Sequence, residues 1–139
     1  LLELADEFPK LIVFAKYTAQ IAHIASCLRR EGKKVLTLEG DTKDRGELIK
    51  EAEESPECIF ICQSQIGAGW ELPSFPTMVF ASMSYSIVDR LQAEGRILRA
   101  NALKKNLYIT LIIKGGIDEA VYKCIQNKQD FNERIYCNL

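Results

Sequence analysis

The chain has 139 residues, of which 47% are hydrophobic and 27% charged. That size and composition are those expected of one soluble globular domain with a core of its own. Eighteen Lys and Arg against 19 Asp and Glu leave no global field to draw in a polyanion or a membrane, so any phosphate site has to be local. The opening "LLELADEFPK" has no initial Met and begins within a pattern, which reads as a piece of something longer. "LIVF" (11–14) is the first predicted strand, followed by a helix over 18–31 that Thr18 can cap and that Gly32 can end in a left-handed conformation. "KVLTL" (34–38) is the second strand and 43–53 the second helix. "CIFIC" (58–62) and "TMVFA" (77–81) are the third and fourth strands, and 84–98 the third helix. "LYITLII" (107–113) and a helix over 117–135 complete the set. The strands are short, rich in β-branched or aromatic residues and nearly continuous in hydrophobicity, as strands buried on both faces of a parallel sheet are. The β-α alternation with short links predicts an α/β layered fold, with residues 1–139 forming a single domain.

Five cysteines, with no C-x-x-C pair, and the single His23 argue against zinc. Free thiols suit a reducing, cytoplasmic compartment. No apolar run approaches the roughly 20 residues of a membrane span, and there is no signal peptide, so no membrane partner is expected.

Three features carry chemistry. In "LQAEGRILRA" (91–100), helical winding of about 100° per residue brings Gln92, Arg96 and Arg99 within roughly 60° of one another. Ile87, Leu91 and Leu98 fall on a different side, where burial against a sheet is expected, so the polar trio should face away from the core. Gly95 weakens a helix by about 1 kcal/mol relative to alanine, but its missing side chain lets another backbone or a ligand come close. Two planar guanidinium groups on one edge suit bidentate contact with phosphate. The plain alternative is a solvated helix face with a tolerated glycine.

"QSQIGAGWELPSF" (63–75) directly follows a strand, and ligands of open α/β sheets sit at strand carboxyl ends. Gly67 and Gly69 leave backbone N–H groups accessible to an anion, and Glu71 offers an acceptor for a hydroxyl. An ordinary glycine-containing turn before Pro73 is the competing reading, with Trp70 in packing. At two further strand–helix junctions, "FAKYTAQ" sets Lys16, Tyr17 and Thr18, and "LEGDTKDR" sets Gly40, Asp41, Thr42 and Arg45, where either phosphate binding or plain capping applies.

In this order and spacing the four stretches resemble the second RecA-like lobe of superfamily-two helicases and translocases. Q-x-x-G-R-x-x-R at Gln92, Gly95, Arg96 and Arg99 looks like motif VI, "IGAGWELP" like motif V, and "IVFAKYTAQ" like motif IV. The tail "KGGIDEAVYKCIQNKQDF" is similar to the segment closing the Swi/Snf-type lobe, and "DRLQAEGRILRA" after "VFASMSYS" is similar to its phage and bacterial members. The resemblance covers about residues 11–131. It implies a three-layer sandwich around a mostly parallel sheet of about five strands. ATP and Mg2+ would be held mainly by an N-terminal lobe of the same protein, with nucleic acid, DNA by preference, as the other partner.

Carried over position by position, Arg96 and Arg99 would be catalytic fingers on the γ-phosphate. Gly67, Gly69, Glu71, Gln92 and Gly95 would line the ATP side, with Gln92 coupling it to the glycine loop. Lys16, Tyr17, Thr18, Gly40, Arg45, Gln63 and Gln65 would face nucleic acid. Two departures stand out: Glu71 replaces the more usual Asp or Asn near the ribose, and Gln63 and Gln65 replace small hydroxyl residues.

No G-x-x-x-x-G-K-[ST] exists in the chain; "EGKK" (31–34) lacks both the earlier glycine and the following hydroxyl residue. "DEAV" (118–121) mimics the acidic magnesium motif of a first lobe but opens the last helix, where acids simply favour the N-terminus. The chain alone is therefore expected neither to hydrolyse ATP nor to unwind anything. Two alternatives stay open: a regulatory or nucleic-acid-binding module of the same fold with a decayed nucleotide site, and a Rossmann-like domain for a nucleotide-linked substrate. The latter expects a glycine-rich turn after the first strand, where "LIVFAKYTAQ" has none.

Overall fold

A computed structural model describes residues 1–63, 70–82, 84–97 and 106–128. The elements in chain order are α1 (Leu2–Glu7), β1 (Lys10–Ala15), α2 (Thr18–Arg30), β2 (Val35–Leu38) and α3 (Arg45–Glu54). They continue with β3 (Cys58–Gln63), β4 (Thr77–Phe80), α4 (Ile87–Glu94), β5 (Leu107–Thr110) and α5 (Ile117–Gln126). The five strands form one sheet in the order β2-β3-β1-β4-β5, every pair parallel. All five expected strands are present. Among the described residues no helix is long and apolar enough to cross a membrane.

Strand side chains alternate between two cores, which is why the strands read as continuous apolar runs. Ile12, Phe14, Phe60, Cys62, Met78 and Phe80 point to one face and pack with Ala52 of α3, Ala93 of α4, and Val121 and Ile125 of α5. Leu11, Val13, Ala15, Ile59, Ile61 and Val79 point to the other, against Ala5 of α1 and Ile21, Ala25 and Leu28 of α2. The result is the expected three-layer sandwich.

Local chemistry sets several boundaries differently from the sequence reading. Tyr17, not Thr18, is the N-cap of α2, and it makes no side-chain cap bond. Gly32 does end that helix, at φ 77°. Gly32 N–H donates to the Arg29 carbonyl at 3.0 Å and Lys33 N–H to the Leu28 carbonyl at 3.1 Å, the paired bonds of a Schellman motif. The second predicted helix starts at Arg45 rather than 43, because Asp44 adopts a left-handed φ of 51° ahead of it. The third starts at Ile87, with Ser86 as N-cap accepting from Asp89 N–H. α1 has no counterpart in the sequence reading; its six residues are too few to register a period. The predicted end of the last helix, 127–135, falls partly outside the described residues, and within them α5 stops at Gln126.

The larger correction concerns how α4 faces the sheet. Arg90, Ala93 and Ile97 are buried, whereas Leu91, expected inside, is 55% exposed. Leu98 lies outside the described residues. The buried arginine is compensated: its Nε donates to Glu94 Oε1 at 2.7 Å, its Nη2 to Thr110 Oγ1 at 3.1 Å, and its guanidinium carbon lies 3.5 Å from the Phe80 ring centroid. Hydrophobicity alone would not select an arginine for that side; its stem and partners do.

Candidate functional site

The helix after β1 packs on one face of the sheet, while the segments after β3 and β4 pack on the other. The carboxyl end of β1 is thus a point where connections part to opposite faces, the place where open α/β sheets bind ligands. Lys16 and Tyr17 leave β1 there, Gln63 ends β3, and Ser82 and Tyr85 follow β4. Lys16 N–H donates to Ser82 Oγ at 2.7 Å, and the Ser82 hydroxyl donates to Gln20 Oε1 at 2.7 Å. Gln63 Nε2 approaches the Lys16 carbonyl at a longer 3.5 Å. The Lys16 ammonium lies 3.8 Å from the Tyr85 ring centroid and 5.5 Å from that of Tyr17, within cation–π range. Lys16, Tyr17, Thr18 and Gln63 therefore come together as the sequence suggested, with Tyr17 and Thr18 exposed.

A second junction forms where the segment after the glycine loop meets the end of α4. Leu72 N–H donates to the Arg96 carbonyl at 2.9 Å, and Arg96 Nη1 donates to the Trp70 carbonyl at 3.0 Å. The guanidinium lies 4.7 Å from the Trp70 ring centroid. Trp70 is buried in packing, its ring 6.3 Å from Phe14 and 5.7 Å from Phe60. Arg96 is thus half-buried on an aromatic base, not turned out with Gln92. The tight turn through Gly95 and Arg96, where Arg96 N–H bonds the Ala93 carbonyl at 3.1 Å, breaks the 100° winding on which the outward trio rested.

Burial pulls the Arg96 pKa down, and nearby Cys62 and Glu71 push it back up. Burial also holds the Cys62 thiol well above its ordinary value. It is neutral at physiological pH, so the charge facing Arg96 there is the exposed Glu71 carboxylate. A guanidinium remains cationic throughout.

The remaining predicted positions fall into three groups. Gly40 and Arg45 meet at the β2 exit, where Arg45 Nη2 donates to the Gly40 carbonyl at 3.2 Å. Gln92 and Gly95 lie exposed on the outer side of α4 and its end. Gly67, Gly69, Gln65 and Arg99 lie outside the described residues. Asp118 and Glu119 do open a helix rather than end a strand, and Glu119 Oε2 accepts from Gly115 N–H at 2.9 Å. Among the described residues no group of three or more His, Cys, Asp or Glu side chains could hold a metal ion. The sequence reading passed over Gln20, Ser82 and Tyr85. The rule that ligands gather at strand carboxyl ends, applied to the fourth strand as to the first, would have found the last two.

The geometry agrees with what the chain is similar to. The family model described as "Helicase conserved C-terminal domain" matches residues 1–101. The chromatin-remodeling ATPase INO80 of Mycosarcoma maydis is 26% identical over 135 residues, covering 94% of this chain and 7% of that protein. The crystal structure of the C-terminal part of the Fun30 ATPase domain superposes with a TM-score of 0.80 at 26% identity, over 93% of this chain and 42% of that one. The chain therefore spans a small part of the remodeler and under half of the solved structure it matches. With a motif-matched order of strand exits and an all-parallel five-stranded sheet, the chain belongs to the helicase conserved C-terminal domain family, as a RecA-like C-terminal lobe of the superfamily-two, Swi/Snf-like kind.

Proposed function

We propose that this lobe is half of an ATP-driven DNA helicase or translocase, and that Arg96 and Arg99 are its arginine fingers. The observation that carries the reading is the Arg96–Trp70 junction. Arg96 and the segment 70–72, 24 to 26 residues away in sequence, are tied by reciprocal bonds, which holds the arginine against the segment that carries Glu71. A cation at that junction suits a reaction in which negative charge spreads over a transferring phosphoryl group. ATP and Mg2+ would be held by the N-terminal lobe; of the acidic pair at the start of α5, Glu119 is already engaged by the Gly115 N–H. Glu71, Gln92 and Gly95, with Gly67 and Gly69, would border the nucleotide.

The outer side of α4 supports docking of that lobe. Val88, Leu91, Gln92 and Gly95 recur at i, i+3, i+4 and i+7, which puts them on one stripe, and Val88 and Leu91 are each 55% exposed. Lys16, Tyr17, Thr18 and Gln63, with Gly40 and Arg45 at the β2 exit and Gln65 among the nucleic-acid positions that the resemblance implies, would hold the nucleic acid. Cys27, Cys58, Cys62 and Cys124 are free thiols, in keeping with a reducing cytoplasm.

The test is the protein carrying both lobes. Arg96→Ala should reduce nucleic-acid-stimulated ATP turnover by about 10³-fold or more while sparing ATP binding. Unchanged turnover would refute the assignment. The present chain alone should release no phosphate from ATP; stimulated release by it would contradict the division of labour between lobes. A two-lobed protein that bound nucleic acid but never turned ATP over would be a regulatory module instead.

A further inference from the structure

The last turn of α3 holds an acid where helix electrostatics disfavours one. The carbonyl end of a helix favours cations and opposes carboxylates, yet α3 closes on Glu53 and Glu54 with no basic residue in its last turn. Glu54 is exposed, but Glu53 is half-buried and engaged. Its Oε1 accepts from the Ser74 N–H at 3.1 Å and from the Ser74 hydroxyl at 2.9 Å. The Lys10 ammonium, at the start of β1, completes the cluster by donating to the Glu53 carbonyl at 2.9 Å and to Ser74 Oγ at 2.6 Å. It also lies 4.7 Å from the Phe75 ring centroid. A residue that breaks a local preference and is then held by partners far along the chain marks a position chosen for those partners.

What Glu53 grips is the segment that holds Arg96. Phe75 N–H donates to the Leu72 carbonyl at 3.0 Å, which closes a four-residue turn over 72–75 with Pro73 at its second position. That closing bond leaves the N–H of the third residue, Ser74, open, and Glu53 takes it. Leu72 and Phe75, the two ends of the turn, are fully buried, and Pro73 stiffens the link between Leu72 and Ser74. The same segment forms the arginine junction, where the Leu72 N–H bonds the Arg96 carbonyl and the Trp70 carbonyl bonds Arg96 Nη1. Arg96 itself stands beyond the last helical residue of α4, Glu94, so this segment supplies part of its hold. A shift of about 1 Å in such a support can cost about 10²-fold in rate. Resting on the arginine-finger reading above, we infer that Glu53 is a positioning residue for Arg96, acting through Ser74 and the 72–75 turn. Its role is to fix the anchor of the finger, not to touch the reacting phosphate.

In the two-lobed protein, Glu53→Ala should lower kcat for ATP by about 10- to 100-fold while KM changes less than about twofold. Glu53→Gln keeps an oxygen acceptor for both Ser74 donors and should recover most of that rate. Glu54→Ala, which removes an exposed acid from the same helix end, should match wild type. Ser74→Ala keeps only the N–H bond and should lose rate in the same direction by less; it carries the test if Glu53→Ala does not fold. Added to Arg96→Ala, Glu53→Ala should cost less than about twofold further, because the two residues act as one unit. A merely structural staple would lower the urea midpoint yet leave kcat of the folded protein unchanged, or add its full loss on top of Arg96→Ala. Either result overturns the role. The lone chain gives a separate readout, because Trp70 is its single tryptophan. There Glu53→Ala should raise acrylamide quenching of Trp70 and shift its emission to the red, and Glu53→Gln should restore both. Unchanged quenching would overturn the latch whatever the two-lobed protein does. Turnover that falls in Arg96→Ala but not in Glu53→Ala or Ser74→Ala sinks this role alone. Turnover indifferent to Arg96→Ala sinks the finger reading and this role with it.

Discussion

Arg90 carries more structural consequence than any other buried polar residue described. It ties α4 to Thr110 of β5 and the Phe80 ring of β4 and pairs with Glu94 one turn along its own helix, yet its Nη1 is buried with no hydrogen-bond partner. Truncation removes two bonds and strands Thr110 Oγ1, so Arg90→Ala should cost about 2–3 kcal/mol. Arg90→Met fills the same space without an orphaned donor and should cost clearly less, as apolar replacements of buried charges do; urea midpoints of the two variants check the ranking. A second residue-scale effect is titration. Burial pushes the Cys58 thiol up to about 11 from an ordinary 9.0, against the pull of Lys34 and Lys10. Between those pH values the unfolded chain loses a proton that the folded chain keeps. The thiol's contribution is therefore full below about pH 9 and is lost as pH rises toward 11, on the order of 2–3 kcal/mol. Unfolding midpoints near pH 8.5 and 10.5 should converge in Cys58→Ala relative to wild type.

At the scale of elements, two glycines make opposite predictions. Gly32 holds φ 77° at the end of α2, so Gly32→Ala should lower stability by about 1–2 kcal/mol although nothing lies within 4 Å of the added methyl. Gly95 has φ −63° and ψ −16°, and an added methyl would meet only the Gln92 and Leu91 carbonyls at 3.4 and 3.6 Å. Gly95→Ala should therefore leave the lone lobe as stable or up to about 1 kcal/mol more so, yet reduce ATP turnover once the other lobe is present. Thermal unfolding of the lobe and turnover of the two-lobed protein separate the effects. A loss of lobe stability would mean that the glycine serves this fold rather than an approaching surface. The exposed Leu91 and buried Arg90 of α4 have the same origin: one turn of amphipathic pattern fits two orientations, and only the Glu94, Thr110 and Phe80 neighbours choose between them.

For the whole molecule, the sheet is shared by both cores, so damage on either face should be felt as one transition. Phe60 and Ile61 are adjacent on β3, fully buried and on opposite faces. Phe60→Ala should cost about 3–5 kcal/mol and Ile61→Ala about 2–5, each shifting a single cooperative urea transition; two separable transitions would show independent cores. Continuous apolar runs are a short-range signal, and they made the five strands and the parallel α/β class legible without coordinates. Gly32, the acidic start of α5, and the grouping of Lys16, Tyr17 and Gln63 were legible too, since local conformation or position at a strand end dictates each. What no local pattern carries is which neighbour a side chain meets across the sheet. The tertiary structure alone decided that Arg96 rests on Trp70, that Arg90 faces inward, and that Tyr85 completes the ring pair around Lys16. Such contacts join residues tens of positions apart, and their energies exist only once the layers have closed.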